Sequence, residues 1–259
     1  MRFFNLRLAA VVVCATALLA RAGDTVPAGV DPKADAALRK MGQTLGSAKS
    51  FSFEVNDSAD QIMDNGQKIQ FDKTVKVLVR RPNALIATAS GDLEDMQYAY
   101  NGTKLAIFNK RQNCYAIQDA PNTIDAMFDF VAQKFGITAP LSDLAFADPY
   151  QTLIARVRAG TYLGLHQVNG VKCHHLAFRQ DVIDWQIWIE DSDHPVPRKV
   201  VITYKEQPGH PQFTAILDKW ELSASAPDSA FEFSPPAGAK RIDLTPAAPA
   251  GNPEPAGKQ

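Results

Sequence analysis

Cysteine is scarce in this chain: there are three in 259 residues, and only Cys114 and Cys173 lie beyond the first 22 positions. That excludes a disulfide-stapled scaffold and a multi-cysteine metal centre. Motif spacings that carry chemistry are missing as well. The chain has no HExxH, CxxC, GxSxG or SxxK, so zinc-protease, dithiol-redox and serine-acylation chemistries have no motif to build on. Nor is there an excess of positive charge. Of 27 basic residues, Arg2, Arg7 and Arg21 fall in the N-terminal segment, leaving 24 against 28 acidic ones. That balance gives no concentrated basic face for nucleic acid or an anionic membrane. No long apolar run follows residue 22, so no membrane span is expected after it.

What is present begins with a leader. Residues 1–7 carry Arg2 and Arg7 and no acid, residues 8–20 are apolar, and Ala20 and Ala22 place small residues before Gly23. This is the pattern of a secretory signal cleaved near Ala22, with a periplasmic destination. Cys14 would leave with it. In an oxidising compartment Cys114 and Cys173 either form one disulfide or remain as two buried thiols.

Along the rest of the chain the period changes twice. Asp31 and Pro32 open a helix with Leu38, Met41 and Leu45 on one face, and Gly46 suggests its stop. From Ser50 the period is two. Strands are expected at 51–55, 69–79, 85–89, 96–100, 105–108 and 114–117, separated by turns such as Asn65-Gly66 and Asn101-Gly102. Thr123 then caps a helix carrying Ile124, Met127, Phe128, Val131 and Phe135, ended by Gly136. Asp148-Pro149 opens another with Leu153, Ile154 and Val157. Strands resume at 162–168, 171–179, 182–190, 198–205 and 213–222, with a last short one at 231–233. Residues 246–259, rich in Pro and Ala, read as a disordered tail. The expected organisation is a leader over 1–22, one domain over 23–245 and the tail. The class is α+β: an antiparallel sheet long enough to curl, with the helical insert covering its concave face.

Three stretches carry a family resemblance. They are residues 173–178 (Cys-His-His-Leu-Ala-Phe), 184–190 (Asp-Trp-Gln-Ile-Trp-Ile-Glu) and 197–205 (Pro-Arg-Lys-Val-Val-Ile-Thr-Tyr-Lys), with Pro235-Pro236-Ala237-Gly238-Ala239 near the end. Together they resemble a bacterial family of predicted periplasmic proteins of unknown function with a LolA-like fold. That superfamily includes the LolA and LolB lipoprotein carriers, LppX and the RseB sensor domain. The resemblance implies an unclosed half β-barrel covered by helices, with an apolar cavity for acyl chains. It supplies no catalytic residues.

Candidate ligand-binding residues are therefore apolar. Phe128, Val131, Phe135, Leu153 and Val157 come from the helices. Trp185, Ile187 and Ile189 share one strand face, and Val200, Ile202 and Tyr204 form a neighbouring row. They form an ordinary core, or they line a cavity where the helices leave the concave face unfilled. His174 and His175 point to opposite faces of their strand and cannot converge on one metal. Glu190, Asp191 and Asp193 straddle a turn that favours Asp for backbone reasons. No metal, cofactor or catalytic set is expected. The leading expectation is a monomeric carrier for a hydrophobic small molecule or lipoprotein acyl chains, without nucleic-acid partners. The alternatives are a sensor module resembling RseB with an envelope protein partner, and a hydrolase or metal enzyme with an unrecognised site.

Overall fold

The computed structural model describes residues 26–247. The leader and residues 248–259 of the expected tail lie outside the described residues. Helix α1 spans Pro32–Ser47. Asp31 caps it, its carboxylate accepting the Lys33 N–H at 2.7 Å, while Pro32 occupies the first turn, where no donor is needed. Gly46 sits one residue before its end.

Six strands follow: β1 (Ser50–Ile62), β2 (Lys68–Arg80), β3 (Ala84–Gly91), β4 (Asp95–Tyr100), β5 (Lys104–Asn109) and β6 (Cys114–Asp119). The helical insert holds α2 (Ile124–Phe135), a 3-10 turn at Ser142–Ala145 and α3 (Pro149–Ile154). Thr123 Oγ1 accepts the Ala126 N–H at 3.2 Å, and Gly136 closes α2 in the left-handed region at φ 66°. α3 is shorter than its apolar spacing suggested. Val157 lies beyond it, in the link to the sheet, yet is buried.

The second half adds β7 (Ala159–Val168), β8 (Val171–Arg179), β9 (Ile183–Glu190), β10 (Pro197–Tyr204), β11 (Gln212–Glu221) and β12 (Lys240–Arg241). The twelve strands among the described residues form one sheet in the order β12-β6-β5-β4-β3-β2-β1-β11-β10-β9-β8-β7. β12 lies parallel to β6, and the other pairs are antiparallel. β7 and the β6–β12 margin do not pair, so the sheet is an open half-barrel.

The helices cover the inner face, and one continuous core joins them to it. Ala34, Leu38, Met41 and Leu45 of α1 are fully buried. α1 and α3 approach so closely that a Cβ on Gly42 would stand 2.5 Å from Tyr150 Cβ. At the same contact the Tyr150 hydroxyl donates to buried Asp35 at 2.5 Å and accepts from Arg39 at 2.8 Å. Arg81, just after β2, donates to the carbonyls of Ala145 at 2.6 Å and Leu45 at 3.3 Å, tying the insert and the end of α1 to the sheet. Among the described residues no helix is long and apolar enough to cross a membrane.

The expected strand at 231–233 does not form. The chain after β11 crosses the outer face instead, through a 3-10 turn at Asp228–Phe231. Phe231 is buried beneath the Arg80 guanidinium, 4.6 Å from its ring centre, and Phe233 packs on Phe108 and Tyr115. Pro227, Pro235 and Pro236 withdraw the donors a ladder needs. The crossing also explains the run Leu105–Phe108 in β5, which is buried throughout: helices cover one side and this segment the other. The last paired strand is β12, against β6.

Candidate ligand-binding face

Strand alternation places Phe51, Phe53, Val55 and Asp57 of β1 on the inner face. Cross-strand pairing extends two rows from them. Val55 faces Val75, then Ala89, then Met96. Phe53 faces Val77, then Ala87, then Tyr98. Val75, Val77, Ala87, Met96 and Tyr98 pack on the core but remain only half-buried. They make an apolar strip on β2–β4 that the helices leave partly open.

Asp57 borders this strip, opposite Lys73 on β2 and Ala215 on β11. It is 5% exposed, and no described residue hydrogen-bonds to its carboxylate. Lys73 turns instead to Glu94, 2.6 Å away. Burial pushes the Asp57 carboxyl up to about 6. The Lys73 charge opposes that shift, and Glu94 and Asp72 reinforce it. Tyr98 is pushed up to about 12, chiefly by burial and further by Glu94. The open strip thus has an acidic end, where Asp57, Glu94 and Asp72 stand around Lys73.

The residues singled out by sequence divide into two groups. Val131, Val157, Trp185, Ile187, Ile189 and Val200 are buried, with exposures of 8% or less. Phe128, Phe135, Leu153, Ile202 and Tyr204 are half-buried at its margin. Sequence reasoning passed over the β2–β4 strip and Asp57. The signal was available: the in-phase alternation Phe51, Phe53, Val55 runs on to Asp57, which puts a carboxylate on the apolar side.

His174 and His175 point to opposite faces. His174 Nδ1 lies 2.9 Å from the Tyr162 hydroxyl, and its Nε2 lies 3.2 Å from Asp191. His175 stacks on Trp188 with ring centres 3.9 Å apart, its Nδ1 2.9 Å from His166 Nδ1 and its Nε2 3.0 Å from Gln186 Oε1. Burial holds the His175 pKa below the ordinary histidine value. Around the β9–β10 turn Glu190 pairs with Arg198 at 2.6 Å and Asp191 with Lys172 at 3.1 Å. Among the described residues no three His, Cys, Asp or Glu side chains converge as a metal-ligand set.

The disulfide option does not hold, because both cysteines are free. Cys114 stands on β6 at one margin of the sheet, and Cys173 on β8 near the other, with eight strands between them in the sheet order. Cys173 is sealed in a small outer-face cluster with Val168, Trp188 and Val201. A separate open depression of about 310 Å³ lies over β1–β3 and carries Glu54, Lys76 and Lys219. By alternation these charged residues face away from the apolar strip.

A family model described as a predicted periplasmic protein, DUF2092, matches residues 34–245. The chain belongs to the DUF2092 family. The match to DUF2092 runs from the first turn of α1 to beyond β12, so it contains the whole sheet and the strip. Comparison with curated proteins finds no significant match. Solved structures similar to this DUF2092 chain include an uncharacterized conserved protein from Thermus thermophilus, 10% identical with a TM-score of 0.49, covering 82% of this chain and 99% of that one. The Mycobacterium tuberculosis lipoprotein LppX is 13% identical with a TM-score of 0.46, covering 75% and 98%. A LolA superfamily protein from Nitrosomonas europaea is 11% identical with a TM-score of 0.39, covering 77% and 97%. Likenesses this remote bear on neither the ligand nor the site.

Proposed function

We propose that this DUF2092 protein is a periplasmic binding or carrier protein for an apolar ligand, the acyl chain of a lipid or lipoprotein. The ligand lies between the inner face of the half-barrel and its helices. One observation carries the reading: Val75, Val77, Ala87, Met96 and Tyr98 form a contiguous inner-face strip that is packed from below and left half-open above. Apolar surface of that kind, rimmed by polar groups, is the ordinary signature of a binding surface. Each buried methylene contributes about 0.8 kcal/mol, so ten supply about 8 kcal/mol before association costs. No energy source or catalytic group is required, which suits a compartment without nucleotide triphosphates.

The test is titration with a neutral, environment-sensitive fluorescent apolar probe. The native protein is expected to bind it with saturation. Ala87→Trp, which fills the middle of the strip, should weaken binding at least tenfold while the protein stays folded by circular dichroism. Absence of saturable binding, or equal binding by Ala87→Trp, would contradict the reading.

A further inference from the structure

We infer that Asp57 is a head-group-binding residue, and that the bound amphiphile carries a positively charged N–H donor such as an ammonium group. This inference rests on the carrier reading above and specifies its ligand. The argument begins from an unbalanced group. Asp57 lies on the inner face between Val55 and Ala59 of β1, opposite Ala215 of β11, and is almost wholly buried. Its oxygens keep a narrow contact with solvent and take no donor from the protein, so a ligand head arriving from the open side can supply one. The one cation opposite it, Lys73, is committed to Glu94 at 2.6 Å. No described residue donates to Asp57.

The placement points outward from the core and not into it. Asp57 borders the half-buried strip, so a chain lying along Val75 and Ala87 brings its head to this carboxylate. Glu94 and Asp72 are acidic and Lys73 is the basic group beside them, so with Asp57 that end carries net negative charge. That favours a cationic head and opposes an anionic one. A charge-assisted hydrogen bond contributes enough to shift affinity by about tenfold or more. A fatty acid meets repulsion from Asp57 and Glu94 at the same place.

The experiment compares a long-chain alkylamine with the fatty acid of equal chain length. Both displace a neutral fluorescent apolar probe from the full chain at pH 7.5, below their micellar concentrations. The expected result is an amine preference of at least tenfold in the native protein, falling below threefold in Asp57→Asn. A second measurement covers the case in which that variant misfolds. In the native protein the affinity for the alkylamine, which stays an ammonium throughout, should fall between pH 7.5 and pH 5, as Asp57, which faces Lys73, Glu94 and Asp72, takes up a proton. Equal affinity for the two amphiphiles overturns the inference, as does a preference for the acid. An amine preference that persists in folded Asp57→Asn does the same, and would leave Asp57 satisfied by trapped water. If neither amphiphile displaces the probe and the probe itself does not bind, the carrier reading fails first.

Discussion

Replacing Asp57 by Asn removes a buried charge whose cost to the fold depends on pH. The carboxyl is lifted from 3.8 to about 6 in the folded state. Because the folded pKa is the higher, the native protein binds the proton more tightly than the unfolded chain. Stability therefore rises as pH falls through 6, and the gain is complete below the unfolded value. A shift of about two units corresponds to about 3 kcal/mol over the full range. Between pH 7.5 and pH 5 roughly half of it, about 1–2 kcal/mol, should appear. Other groups also titrate in this range, so the useful quantity is native minus Asp57→Asn. Urea unfolding of both proteins at the two pH values, with linear extrapolation, measures it. The native protein is expected to gain about 1–2 kcal/mol relative to the variant on acidification. A difference that does not change with pH, or one of opposite sign, would refute the placement of Asp57 as a charge buried among apolar side chains.

Other changes test the packing. Gly42→Ala drives a Cβ to 2.5 Å from Tyr150 Cβ and should destabilise the protein by about 1–3 kcal/mol, read as a lower urea midpoint. Phe231→Ala should cost about 3–5 kcal/mol by emptying the site under Arg80. Hydrogen exchange should then quicken in β3, which the 3-10 turn touches. In the native protein Cys114 should react with a thiol reagent, whereas Cys173, buried and with its thiol pushed up to about 11, should react only after unfolding. Electrophoretic mobility should be the same with and without reductant.

The strands of the fold were legible because each obeys a local rule. Period-two alternation, Asn-Gly turns and the Thr123 and Gly136 caps mark their own boundaries. The segment at 231–233 was misread because alternating Phe231 and Phe233 look like a strand, although what positions them is the outer face of distant strands. The sheet order was also beyond local reading: β1 pairs with both β2 and β11, more than a hundred residues apart. That pairing decides which apolar residues are sealed and which stay open. Ile187 and Ile189 disappear under the helices, while Val75 and Val77, equally apolar, remain half-open. Nothing in the side-chain types separates the two pairs. Asp57 was the exception, since its position in the alternation already put a carboxylate on the wrong side of a strand.

Native mass spectrometry of the protein purified from its own host most directly tests whether the inner face holds an amphiphile. The predicted result is a population heavier than the polypeptide by the mass of a lipid or acyl-bearing molecule. That mass should be released on denaturation and depleted in Asp57→Asn. A polypeptide mass alone, together with no uptake of a neutral fluorescent apolar probe by the same preparation, would contradict it.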